Sequence, residues 1–592
     1  MKPEAVGGTG DLRQIRTRGR PGFPQAGNQD TWAHMKFFST ADQSAVKALE
    51  GIGGEWLAKT CALFPEHASR LGFKKFEPLL GENTPDIHRK HGELLADTLR
   101  KVEDLPEGAF SGDDWLDRRG FLSRLRTDLV FSRDLKRWRT NPHQHADSAV
   151  DAVFDLVVRA SGNLSRALPS IESRLGKIPD FLAAGAECVR LPVPLWTSLT
   201  VKSSGGSVEF LHGLEPELAA VSPHPARTKS LLRSAVTAFE DFAKAVERKK
   251  QGPPGAFAVG RERFEFLMRE RLGLDLTLRE AKAVGERLVA RQDHLLQKAA
   301  EKIGRRPAQE VIEEAAAHWT PPGSLLEHYR RTTRDIKRQL ASADLVTLPK
   351  GESLKVLPVP PFLRHQFPTA AYNPPQPFSR SMTGIFWVND LSLDEMDPEK
   401  KLAEIRQHFG LELTAVHEAY PGHHLQFVVQ FQHPSRIRRL CEHSIFYEGW
   451  TMWCEQMAVD HGLVAIPHAK LIQLHDALWR AHRIIIDCGL QEGSLTPAAA
   501  ARRLEKGVGF TPARARGDVN WYTSSPTVPM SYLLGRIEVE KLHRRLVRGG
   551  GWTLKQFNDW MLSHGSLPWS WIWQASRSSI FADEPPNFTE TH

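Results

Sequence analysis

The sequence predicts a mainly helical protein with one small β-sheet, and three observations lead there. Apolar residues recur every three or four positions through much of the first half, the spacing that stripes one face of a helix. Between Leu354 and Asn389 the chain turns proline-broken, extended and β-prone. Shortly beyond comes Val416-His417-Glu418-Ala419-Tyr420-Pro421-Gly422-His423-His424-Leu425-Gln426, which crowds three histidines and a glutamate into eight positions with a Pro-Gly pair between them.

Taken in order, residues 1–30 are rich in Gly, Arg and Pro and read as a disordered segment. A helical half over 31–350 and a metal-site half over 351–592 follow, expected to form one continuous body. Trp32 to Leu191 is mostly helical, as where Val153, Phe154, Leu156 and Val157 alternate with polar positions. Pro192 to Gly206, with Thr, Ser and Gly clustered, reads as a break. Leu232, Val236, Phe239, Ala243 and Val246 form the clearest stripe, and Gln251-Gly252-Pro253-Pro254-Gly255 ends that helix. Thr277 with Glu280 makes a capping box, after which Leu278, Ala281, Val284, Leu288 and Leu295 share a face. The prolines after Leu354 predict a few short strands, mostly edges. Past the histidines, helices are expected over Cys441–Gly462, Leu471–Leu490, Thr496–Glu505 and Pro529–Val547, with Trp552–His564 the last regular element.

Composition narrows the functional classes. Over 592 residues, 41% hydrophobic and 25% charged is ordinary for a globular protein. The formal net charge of +8 is modest, and part of it sits in Lys2, Arg13, Arg16, Arg18 and Arg20, so no clustered basic face argues for nucleic acid. Five scattered cysteines without Cys-x-x-Cys spacing argue against a disulfide framework or a thiolate zinc site and fit a reducing compartment. There is no apolar signal-peptide core and no run long enough to span a bilayer, so a cytoplasmic protein is expected.

Neutral imidazoles are good zinc ligands, and a carboxylate beside them can take a proton from a water at the metal. The stretch begins as the His-Glu-x-x-His helix of zinc peptidases does, but Pro421 stands where the second histidine should be. On an ideal helix His423 would lie about 240° round from His417, on the wrong face. His424 would return to the right face about 10.5 Å further along the axis. Both imidazole nitrogens must come within about 2.0 Å of a shared zinc, so neither works on an unbroken helix. Pro421 breaks it, lacking an N–H and clashing with the preceding turn, and Gly422 can take dihedrals other residues avoid. A restarted helix would bring His423 or His424 beside His417, with Glu418 as the general base. Glu448 is the candidate third ligand; Glu455, seven positions later on the same face, is the candidate partner that orients a histidine, with the reverse assignment open. Tyr522, Tyr532 and Arg483 are candidates to support charge developing on a substrate carbonyl. The competing explanation is a polar helix end with chance histidines, in a chain that has 25.

These residues resemble a bacterial family catalogued as domain of unknown function 885. The resemblance is carried by His417 to Gln426, Tyr447-Glu448-Gly449-Trp450 with Glu455, Arg483 with Ile486-Asp487-Cys488-Gly489-Leu490, Pro526 with Ser531-Tyr532 and Gly535, and Phe557 with Gly565-Ser566-Leu567-Pro568. Arg137-Trp138, Asn141-Pro142 and Tyr372-Asn373-Pro374-Pro375 also fit. The family looks like a large helical relative of the gluzincin metallopeptidases, with two His and one Glu holding zinc. That implies His417, His423 and Glu448 as ligands and Glu418 as base, within a helical metallopeptidase-like body whose small sheet lies beside the active-site helix. Three positions depart from the family pattern: Trp521 stands where Arg is usual, Thr527-Val528 where Gly-Gln is common, and Asn558 where His is common.

The expected function is therefore a zinc-dependent hydrolase acting on amide bonds of short peptides. Its rivals are the same site serving a specialised-metabolite amide or ester, and a non-catalytic binding protein on the same fold.

Overall fold

Side-chain caps and burial together set the helices. Asp42 accepts from the backbone N–H of Ser44 at 2.8 Å to start Gln43–Leu63, and Thr84 caps Pro85–Glu103 through the N–H of Ile87. Such a cap contributes about 1 kcal/mol, whereas fully burying a Leu or Phe contributes roughly 1.5–3 kcal/mol. Packing therefore dominates: Leu49, Trp56, Leu95, Phe121 and Leu125 from Gln43–Leu63, Pro85–Glu103 and Gly112–Leu129 form one buried cluster. The structure, a computed structural model, describes residues 42–160, 163–304, 307–359, 369–390, 397–464, 466 and 468–576. The disorder expected for residues 1–30 lies outside them.

The helices used below are numbered in chain order. The break expected over Pro192–Gly206 is instead the start of a long helix, α1 (Pro194–Val221). Its polar residues are reconciled with burial by bonding to the helix itself: Thr200 Oγ1 donates to the Trp196 carbonyl at 2.6 Å and Ser207 Oγ to the Ser203 carbonyl at 3.0 Å. α2 (Pro225–Glu247) carries the predicted stripe, with Leu232, Phe239 and Val246 buried against α1 residues such as Phe210 and Leu214. α3 (Leu278–Glu301) opens with the Thr277–Glu280 capping box, but Leu296, not Leu295, continues its buried face; Leu295 is 37% exposed. In α4 (Leu325–Ala343), Tyr329 meets Phe386 edge-on at 5.6 Å.

Three strands follow: β1 (Glu352–Pro358), β2 (Ala370–Asn373) and β3 (Met382–Val388), in the order β1-β3-β2. β1 runs parallel to β3, with Glu352 opposite Met382, and β2 antiparallel, with Asn373 opposite Ile385. β3, which has no proline, takes the centre, while Pro358 ends β1 and Pro374 directly follows β2 at the two outer strands, where a missing N–H is tolerated.

The second half comprises α5 (Leu411–Glu418), α6 (His423–Phe431), α7 (Ser444–Asp460), α8 (Ala469–Glu492), α9 (Pro497–Val508), α10 (Pro512–Ser524), α11 (Val528–His543), α12 (Leu554–Ser563) and α13 (Trp569–Ser576). Trp552–His564 is thus not the last regular element; α13 follows Pro568 and buries Trp569, Trp571 and Trp573. One core joins both halves, packing Phe264, Leu278 and Leu288 against Ile445, Met452, Ile484 and Met530. Among the described residues no helix is long and apolar enough to cross a membrane.

Candidate metal centre

α5 ends at Glu418 because Ala419, at φ −106° and ψ −91°, leaves the helical region; α6 restarts at His423 beyond a cis Tyr420–Pro421 bond. Gly422 folds the chain back by donating its N–H to the Val416 carbonyl at 3.0 Å. A Cβ there would fall 1.9 Å from the His417 carbonyl oxygen, so only glycine fits. Trp450 of α7 fastens the turn from outside, its Nε1 donating to the Pro421 carbonyl at 2.9 Å. The result places the last turn of α5 against the first residue of α6. The His417 and His423 rings stand 4.9 Å apart between centroids and nearly perpendicular, at 86°.

Glu448 on α7 closes the triangle. Its Oε2 lies 3.7 Å from His417 Nε2 and 3.6 Å from His423 Nε2, and one ligand atom from each residue lies within 4.8 Å of the others. Donors at about 2.0–2.2 Å around a tetrahedral ion stand about 3.3–3.5 Å apart, so the two His–Glu448 spacings are close to what zinc requires. Glu448 Oε2 is buried and has no hydrogen-bond partner, an arrangement that is costly unless a cation meets it. Two imidazoles and a carboxylate are a zinc-type donor set, and these residues fit the ion.

Glu455 lies on the other side of His417 from Glu448: its Oε1 is 2.7 Å from His417 Nδ1, which leaves Nε2 facing Glu448. Burial opposes a charge on His417, yet the Glu448 and Glu455 carboxylates outweigh it and push the imidazole up to about 10. Burial likewise opposes charge on Glu448, and the two imidazoles outweigh it and hold its carboxyl well below the usual range. α7 can approach α11 closely at this point because two glycines meet; a Cβ on Gly449 would lie 2.6 Å from Gly535 Cα.

His424 is separated from this cluster. Fully buried, it is held between the Tyr372 hydroxyl, 3.0 Å from Nδ1, and Glu352 Oε2, 2.8 Å from Nε2. Glu352 also accepts from Tyr420 at 2.6 Å and pairs with Lys337 of α4. Burial works against its charge, but these partners bring its carboxyl down to about 2. This cage ties α6 to β1, β2 and α4. Glu352 and Lys337 went unseen in the sequence, because partners 72 residues apart leave no periodic trace.

The remaining candidates lie at graded removes. Glu418, partly exposed beside His417, forms no hydrogen bond through its carboxylate among the described residues, and its charge contributes to raising His417 and Tyr372. Tyr532 faces Glu448; burial first, then that carboxylate, push its hydroxyl well above the usual value. The Arg483 guanidinium lies 4.7 Å from the Tyr532 ring and 4.0 Å from that of Trp479, and its buried Nη1 has no hydrogen-bond partner. Tyr522 sits behind Arg483: its hydroxyl accepts from Arg483 Nε and donates to Asp518, both at 2.8 Å. Of the three departures from the family pattern, Trp521 packs edge-on against Tyr522, with ring centroids 5.2 Å apart, and Thr527 lies 3.3 Å from Arg271 Nη1. Asn558 is fully buried, donating to the Leu345 carbonyl at 2.9 Å and accepting from Trp453 Nε1 at 3.2 Å, a packing role.

A family model described as "Bacterial protein of unknown function (DUF885)" matches residues 65–575. Two solved structures share the fold, each described as a "putative lipoprotein". One, of unknown function from Shewanella oneidensis, is 20% identical with a TM-score of 0.69 and covers 88% of this chain and 98% of its own. The other, from Colwellia psychrerythraea, is 16% identical with a TM-score of 0.68 and covers 90% and 99%. No curated protein matches.

Proposed function

The chain belongs to the DUF885 family, and on that premise we propose that it is a gluzincin-like, zinc-dependent hydrolase cleaving the amide bonds of short peptides. The observation that carries the reading is the convergence of His417, His423 and Glu448 on an unpartnered buried carboxylate oxygen, with Glu418 beside it. Zinc, when bound, supplies Lewis acidity and lowers the pKa of a water towards neutrality. His417 and His423 present Nε2, Glu448 presents Oε2, and Glu455 fixes the His417 ring. Glu418, whose carboxylate has no hydrogen bond among the described residues, takes the proton of the attacking water and returns it to the leaving amine. Tyr532 and the open Nη1 of Arg483 are the donors proposed for the developing oxyanion, with Tyr522 and Asp518 holding Arg483 in place. The outer strand β2, which carries Tyr372, offers backbone for an extended peptide to pair with. Five cysteines, all free and buried, support a cytoplasmic setting.

The test is metal content and turnover together. Untagged protein is expected to carry about one zinc, and Glu418→Gln to keep the zinc while losing roughly 10²–10⁴-fold in turnover on a short-peptide library. Undiminished activity in that variant would sink the general-base role, and zinc well below stoichiometry would favour a binding protein.

A further inference from the structure

α3, the end of α7, the start of α8 and the end of α11 enclose a cleft of about 1030 Å³ that none of His417, Glu418, His423 or Glu448 lines. Eight lysines and arginines line it against two carboxylates, Asp460 and Glu540. These acids are already engaged, Asp460 3.6 Å from Lys470 and Glu540 3.1 Å from Arg536. Lys298, Lys302, Arg544 and Arg548 form no ion pair among the described residues, and all four are exposed around the rim.

Exposed cations alone make only a solvated face. Arg536 adds a different kind of observation. It is 4% exposed, its Nη1 has no hydrogen-bond partner, and its Nε, though close to Glu540, lacks the alignment of a hydrogen bond. A buried guanidinium with open donors is costly unless an oxyanion meets it, and guanidinium matches phosphate and carboxylate geometry better than any other side chain. Burial, and next to Asp460 the like charge of Arg536, bear on Lys470, whose ammonium is held below its ordinary value. Leu288, Leu295 and Trp453 add apolar surface to the lining.

We infer that this cleft is a second ligand site, separate from the metal centre, that binds a multiply charged organic oxyanion bearing phosphate or carboxylate groups. The anionic groups face Arg536, Lys470 and the cationic rim, and the carbon skeleton lies on the apolar surface of Leu288, Leu295 and Trp453. This holds whether or not the metal centre cleaves peptides.

Calorimetric titration of the zinc-loaded full chain with inorganic pyrophosphate and, separately, with citrate tests it. Saturable binding of at least one probe is expected, weakening as salt rises. The exposed double variant Lys298→Glu/Lys302→Glu should weaken it about tenfold or more with an unchanged melting temperature and zinc content, and Arg536→Gln should weaken it further. Preference between the probes assigns the phosphate or the carboxylate class. No saturable binding of either probe up to about 10 mM, or an unchanged Kd in the rim variant, would overturn the site. The latter result would indicate that the probes act by drawing zinc from the metal centre. Should Arg536→Gln fail to fold, the rim variant decides alone.

Discussion

His423 and His424 are neighbours in sequence with opposite surroundings, and alanine distinguishes them. His423→Ala removes a proposed ligand atom, so bound zinc should fall from about one to near zero per chain with the fold retained. His424→Ala should keep the zinc but leave Glu352 and Tyr372 each a partner short, costing about 1–3 kcal/mol in urea unfolding. Zinc lost from the second variant and kept by the first would reverse the assignment. A different residue sets a pH dependence. Glu538 on α11 is buried with neither carboxylate oxygen hydrogen-bonded, and burial, only partly offset by Lys541, pushes it from 4.5 up to about 8. The unfolded chain releases this proton near 4.5 while the folded chain holds it to about 8, so stability falls as pH rises through that window. Relative to wild type, Glu538→Gln should remove roughly 2–4 kcal/mol of that fall between pH 5 and 8, measured by denaturant unfolding at both values. Equal slopes in the two proteins would show that Glu538 does not titrate there.

The break between α5 and α6 is the element on which the proposed metal centre depends. Gly422→Ala must move the His417 carbonyl, 1.9 Å from the new Cβ, and so spread the two histidines. Loss of stoichiometric zinc and a destabilisation of about 3 kcal/mol or more are expected, read by metal analysis and urea unfolding. A variant that binds zinc like wild type would show that the turn is not what sets the ligand spacing. This device was legible in the sequence because helix arithmetic makes a break necessary once Pro421 replaces the second histidine. The stripes of α2 and α3 were legible for the same periodic reason. Other elements left no such mark. α1 hid behind a cluster of Thr, Ser and Gly that reads as a break, yet Thr200 and Ser204 within it are buried, and Thr200 bonds back to its own helix. In α3 a one-residue choice between Leu295 and Leu296 lies within the scatter of a 3.6 period. α13 is short and follows a proline, so its 8 residues carry too little periodicity to mark a helix. The His424 cage depends on contacts between β1, β2, α4 and α6 that only the fold creates.

At the scale of the whole molecule, the core that packs Phe264 and Leu288 against Ile445 and Ile484 makes α7, which carries the proposed ligand Glu448, part of the main body rather than an appendage. An ion bound there stabilises the entire chain by mass action, about 4 kcal/mol when free zinc exceeds Kd a thousandfold. Chelation should accordingly lower the melting temperature by several degrees without changing far-ultraviolet circular dichroism at 25 °C, and zinc should restore it. An unaltered melting temperature would show that the ion does not bind within this core. The meeting of Gly449 with Gly535 carries a further consequence. Because the α7–α11 spacing is set where two backbones touch, the position of Glu448 relative to Tyr532 does not depend on side chains settling around an ion. Loading is then insertion into a frame already built: little of the ion's affinity is spent on ordering the chain, and an exchange of zinc for cobalt should leave the surrounding helices where they were.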